Sequence, residues 1–142
     1  MNPQTIKKWL AGALLSAVAT GASADVVVVV SAKSDVGNLT NEQVSQIFLA
    51  KSTTFPNGTP AVPVDQDEGA APRNEFYTKV TGKDAAQLKA YWSQLLFSGK
   101  AQKPAHAPDN NGVKALIAGK PGAIGYIDKS AVDGSVKVVL AP

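Results

Sequence analysis

Residues 26 to 30 are five consecutive valines, Val26–Val30. A run of β-branched residues that long reads as a strand, and without polar alternation neither of its faces can look onto water. The expected setting is a sheet covered by helices on both sides, as in parallel sheets. The rest of the chain supplies such helices. Thr40 with Gln43 three residues on forms a capping box, and Leu39, Val44, Ile47 and Phe48 follow at helical spacing. Asn57-Gly58 is the strongest turn dipeptide, and Ala61–Val64 reads as a second strand. Asp65 to Gly69 is polar and turn-forming, and Pro72 suits the first turn of a helix that runs to about Thr81, where Gly82 stops it.

Beyond Gly82 the alternation continues. Asp84 caps a helix reaching about Ser98, with Leu88, Tyr91, Trp92, Leu95 and Leu96 as its apolar stripe and Gly99 closing it. Ala101 to Pro108 reads as a loop with two prolines. Asp109 caps a helix from Asn110 to Ala118, burying Val113, Leu116 and Ile117. Ala123–Ile127 and Val136–Leu140 complete the strands, with Asp133-Gly134 turning into the last. Gly125, inside a strand, is expected where a neighbouring backbone comes close or where φ is positive. Strands alternating with helices argue for an α/β class with a partly parallel sheet.

The first 24 residues stand apart. Lys7 and Lys8 are followed by an apolar stretch, Trp9 to Ala19, and by Ala22-Ser23-Ala24, a small-x-small cleavage pattern. The apolar stretch is too short to span a bilayer, so 1–24 is expected to be a secretory signal peptide and 25–142 the mature domain. Removing the two lysines takes the formal net charge from +3 to +1. With no basic patch interleaved with aromatics, nucleic acid is not an expected partner. The absence of cysteine excludes disulfides and thiolate chemistry, and export without disulfides fits a bacterial periplasm.

Enzymatic signals are missing. His106, the single histidine, sits between Pro104 and Pro108 with no nucleophile or orienting group beside it, and reads as an ordinary loop residue. Asp65, Asp67 and Glu68 lack the spacing of a calcium loop and read as solvated acids; no metal or cofactor is expected. Tyr91, Trp92 and Tyr126 fall at helix and strand positions that read as core rather than as a sugar-stacking set. Two loops are candidates for holding an anion. Ser31, Lys33 and Ser34 follow the first strand, and ligands of open α/β sheets bind at the carboxyl ends of strands. The stretch from Asp65 to Arg73 feeds a helix N-terminus, with its free N–H groups and partial positive charge. Arg73 is the only arginine and reads either as an anion ligand or as a surface residue pairing with Asp67 or Glu68.

Three segments carry a family resemblance. Gln46-Ile47-Phe48-Leu49-Ala50-Lys51 resembles the "IFLGK" segment of the phosphate-binding proteins of phosphate ABC transporters. Pro121-Gly122-Ala123-Ile124-Gly125-Tyr126-Ile127 resembles their "PGAIGYV" segment. Between them, Val64 to Phe76 occupies the place of an "R-x-D-G-S-G-T" loop and its helix. The resemblance implies one lobe of a periplasmic-binding-protein type II fold, with a mixed sheet of four or five strands flanked by helices. It implies a non-enzymatic solute-binding protein whose ligand is a small oxyanion such as phosphate. Counted back from Phe76, the family's arginine falls on Gln66, its glycine on Gly69, and its Ser-Gly-Thr on Ala70, Ala71 and Pro72. Both hydroxyls and the charge are therefore replaced. The site implied is Gln66, Gly69, Ala70 and Arg73, with Ser31, Lys33 and Ser34, acting mainly through backbone N–H groups. The alternative is an envelope module that has lost its ligand and contacts a membrane or envelope protein. The oligomeric state is not readable from the sequence.

Overall fold

The computed structural model describes residues 25–142; residues 1–24, expected from the sequence to be a signal peptide, lie outside the described residues. The elements in order are β1 (Val26–Ser31), α1 (Asn41–Phe48), β2 (Val62–Gln66), α2 (Ala71–Thr81), α3 (Ala85–Phe97), β3 (Ala105–Ala107), α4 (Asn110–Ala118), β4 (Ala123–Asp128) and β5 (Val136–Leu140). They form one five-stranded sheet in the order β3-β2-β4-β1-β5. β2 runs parallel to β3 and β4, whereas β1 is antiparallel to β4 and β5. β1 is therefore the one strand that opposes the other four.

The valine run is buried on both faces, as its composition requires. Val26, Val28 and Val30 enter a core with Phe48, Phe76 and Trp92 from the helices α1, α2 and α3. Val27 and Val29 enter a second core with Val113 and Ile117 of α4. The expectation of parallel neighbours for this strand is corrected: both of its neighbours are antiparallel. Burial on two faces follows from two helical layers, and it is blind to strand direction. The physical reason for the strand's hydrophobicity survives and the inference about direction does not.

The caps are where the local chemistry puts them. Thr40 accepts from the Gln43 N–H while Gln43 Oε1 accepts from the Thr40 N–H, at 3.1 and 2.9 Å. Asp84 and Gln87 make the same reciprocal pair on α3. α2 ends at Gly82 in the left-handed region, φ 73°. Along α3, Leu88 and Trp92 are buried, Tyr91 and Leu95 are half-buried, and Leu96 is more than one-third exposed.

Two segments depart from expectation. Within the Ala101–Pro108 stretch, Ala105–Ala107 forms the edge strand β3 along β2, with register Val64↔Ala105 and Gln66↔Ala107. Three residues between prolines are too short to show a period, and β2 is what orders them. Strand β2 also continues past Val64 through Asp65 and Gln66, both fully buried. Gly125 has no positive φ. A Cβ there would lie 2.6 Å from Val113 Cγ1 and 2.7 Å from Ile117 Cδ1, so the close approach is by α4 side chains.

Candidate functional site

The corner where β2 passes into α2 holds a buried polar cluster. Asp65 Oδ2 accepts from the Tyr77 hydroxyl at 2.7 Å, and Asp65 Oδ1 accepts from the Tyr126 hydroxyl and from the Gln66 N–H at 2.8 Å. Arg73 Nε lies 3.5 Å from the same Oδ1, and the Arg73 guanidinium sits over the Tyr77 ring, 5.3 Å from its centroid. Desolvation first, and then the charge of Asp65, push the Tyr77 and Tyr126 hydroxyls well above their ordinary value. Both tyrosines therefore remain protonated donors to Asp65. Behind them the Phe76 and Tyr126 rings stack at 4.1 Å, fixing the helix against the sheet.

Asp65 is thus no solvated loop acid. It stands at the strand end, where α2 brings Tyr77 and β4 brings Tyr126 to it. Gln66 is equally committed: its Nε2 donates to the Tyr126 carbonyl at 2.9 Å and to Asn110 Oδ1 at 3.2 Å. Asn110 passes the chain of bonds to Asp128 Oδ2 at 3.0 Å. Gln66 therefore ties β2 to β4 and α4.

Arg73 departs from its reading as a surface residue paired with Asp67 or Glu68. Its side chain is only 12% exposed, and it pairs with Asp65 rather than with Asp67 or Glu68. Yet its buried Nε makes no hydrogen bond to the protein. The residue borders an open cavity of about 360 Å³ between the start of α2, the side of α3 and the edge strand β3. Leu88, Trp92 and Leu96 form the apolar wall of that cavity. Lys89, Lys103 and His106 add cationic or protonatable groups, while Asp67 and Glu68 stand on the rim. His106 Nδ1 is 3.4 Å from Asp67 Oδ1, across from β3 to the loop after β2.

The other candidates divide by position. Gly69, at φ 91°, makes the turn into α2, and Ala70 occupies the cap position without a side chain able to cap. Both adjoin Arg73. Ser31, Lys33 and Ser34 lie elsewhere. Because β1 opposes the other strands, its carboxyl end meets the start of β4, with Val30 opposite Ile124, at the far end of the sheet from Gln66. There the buried Ser31 hydroxyl donates to the Ala118 carbonyl at 2.9 Å, and Ser34 Oγ accepts from the Val36 N–H at 3.1 Å. The two loops are therefore not brought together. Lys89 and Lys103 were not singled out by sequence, and nothing local distinguishes them from solvated lysines. Lys89 does lie three residues before Trp92, on the same flank of the helix, which is the one signal the sequence held.

No family model matches the sequence. Solved structures do. A Clostridium perfringens protein assigned as a phosphate ABC transporter substrate-binding protein, with phosphate bound, matches at 25% identity and a TM-score of 0.65, over 82% of this chain and 44% of its own. An ABC-type phosphate transport receptor from Vibrio cholerae matches at 20% identity and a TM-score of 0.63, over 82% of this chain and 45% of its own. A Planctomyces limnophilus protein assigned as a phosphate-binding protein matches at 15% identity and a TM-score of 0.60, over 82% and 40%. The fold is that of the periplasmic-binding-protein-like group, a five-stranded mixed sheet flanked by four helices. This chain spans less than half the length of those proteins.

Proposed function

We propose that the mature chain is an exported, non-enzymatic solute-binding-like protein that receives a small oxyanion in the cavity beside Arg73. The observation that carries this reading is Arg73 itself. A mostly buried guanidinium borders the cavity, and its Nε–H has no hydrogen-bond partner in the protein. Asp65 already accepts from two tyrosine hydroxyls and a backbone N–H, so it does not need the arginine to be satisfied. A planar guanidinium suits two oxygens of a phosphate or carboxylate group, and such charge-assisted bonds are the strong ones. The phosphate named with the Clostridium perfringens structure makes phosphate the first ligand to try. Export follows the reading of residues 1–24, and mass spectrometry of periplasmic protein should find a chain that begins at Asp25.

Binding by the single chain should be weak. Gln66, in the position of the family's arginine, has its amide N–H groups engaged by the protein. Pro72 contributes no N–H at the start of α2, and Asp67 and Glu68 repel an anion through a solvent-screened field. Calorimetric titration of the mature chain with phosphate and sulfate should give a dissociation constant above roughly 0.1 mM. Arg73→Met should weaken it at least about tenfold, the cost of a charge-assisted bond. Binding unchanged in that variant would remove Arg73 from the site. No binding by either protein would leave the interaction module in front.

A further inference from the structure

We propose that a second copy of this chain covers the Arg73 cavity, forming a two-fold dimer in which each copy closes the other's site. The proposal takes its location from the anion reading, but the association is measured without any ligand. The cavity is open, and this chain matches only 44% of the solved structure named with phosphate. A cavity open on one side leaves an anion half in water, where its electrostatic contacts are weak.

The surface around the opening fits a copy of itself. Leu96 borders the cavity, and Phe97 follows it at the end of α3 with 94% of its surface exposed. Phe97 lies four residues beyond Ser93, itself on the cavity wall, and so extends the same flank of the helix. An aromatic of that size buries some 150–250 Å² when covered, and such anchors dominate interfaces. The rim carries both signs: Asp67 and Glu68 on the loop before α2, Lys89 and Lys103 across from them. Among the described residues, Glu68, Lys89 and Lys103 make no ion pair within the chain. A two-fold axis places the acids of one copy against the lysines of the other, twice over, because an isologous contact repeats every pair. A uniformly anionic partner, such as a membrane surface, would meet Asp67 and Glu68 as repulsion. The mixed rim therefore favours a second copy over a lipid surface.

The test is sedimentation of the ligand-free mature chain over a concentration series, with circular dichroism to confirm folding of each variant. The wild type should show a monomer–dimer equilibrium. Phe97→Asp should weaken association at least about tenfold, as loss of a central aromatic anchor does. Glu68→Lys should weaken it several-fold, and so should Lys89→Glu with Lys103→Glu. Combining the three reversals should restore association to near the wild-type value, because both sets of charges are exchanged at once. A chain that stays monomeric throughout overturns the proposal, as does a dimer indifferent to Phe97→Asp and to the single-sign reversals. Failure of the combined variant to recover overturns the pairing of acids with lysines across the axis. Loss of anion binding by Arg73→Met in a chain that stays monomeric would refute the dimer and leave the anion reading standing. A dimer that binds no anion would do the reverse.

Discussion

Val28 and Gln66 are both fully buried, two strands apart in one sheet, and the surroundings that hold them have little in common. Around Val28 everything is apolar, and the contacts are many, weak and non-directional. Around Asp65 and Gln66 a few hydrogen bonds converge on single atoms, drawn from β2, α2, α4 and β4. The first arrangement tolerates exchange of one apolar residue for another of similar volume. The second leaves several partners stranded when one member is lost, because an unmade buried hydrogen bond costs more than a made one contributes. The valine sheet builds the lobe, and the polar corner fixes where Arg73 stands relative to the cavity.

The largest expected effect breaks that corner. Asp65→Ala removes the acceptor of two tyrosine hydroxyls and a backbone N–H, and strips Arg73 of its counter-charge. Breaking a buried pair in this way costs about 3–5 kcal/mol. Arg73→Met also leaves a buried charge without its counter-ion, but it should cost less, about 1–3 kcal/mol, because Asp65 keeps its three hydrogen-bond donors and the arginine makes no hydrogen bond to it. Urea melts of the two variants measure the difference. Equal losses would make Arg73 a structural counter-ion and undercut its role as a ligand group.

A smaller effect tests the dry side. Gly125→Val places methyls where a Cβ alone would already lie 2.6 Å from Val113 and 2.7 Å from Ile117. Both are stiff β-branched side chains on α4, so the helix must shift. Overpacking of this kind costs about 1–3 kcal/mol, which exceeds the strand preference gained by valine. A variant that melts at or above the wild-type temperature would show that α4 is more loosely seated than the distances indicate.

The same contrast governs what is legible in the chain. Val26–Val30, the capping box at Thr40, the cap at Asp84 and the stop at Gly82 are local signals, each readable within a few residues, and each stands where the sequence puts it. The Asp65 cluster is built from Tyr77 and Tyr126, 12 and 61 residues away, and no local pattern announces that an acid in a polar stretch will be buried. The direction of β1 is hidden for a related reason. Reversing a strand leaves its alternation and burial unchanged, and only its connections decide. A parallel β1 would bring the Ser31–Ser34 loop to the same end of the sheet as Gln66, whereas antiparallel pairing puts it at the other end.

The smallest effect lies in the segment that resembles the phosphate-binding proteins, where a glycine of "IFLGK" is replaced by Ala50. Helix α1 ends with the Lys51 N–H bonded to the Gln46 carbonyl at 2.8 Å and the Ala50 N–H to the Ile47 carbonyl at 3.2 Å, the paired bonds of a Schellman close. That close requires a left-handed residue, and Ala50 provides it at φ 60°, the one non-glycine residue with positive φ among those described. An L-residue with a Cβ loses roughly 1–2 kcal/mol in this conformation. Glycine would relieve that strain but would lose about 0.4–1 kcal/mol by freeing the unfolded chain. It would also give up part of the roughly 0.8 kcal/mol that a buried methyl contributes, since Ala50 packs half-buried against the core. Relief of strain outweighs these two losses by a small margin, so Ala50→Gly should stabilise the domain by about 0.5 kcal/mol. A urea midpoint that rises with an unchanged slope is the expected result. A lower midpoint would mean that the Ala50 methyl packs well enough to outweigh its backbone strain, and that the core reaches further round the end of α1 than its burial indicates.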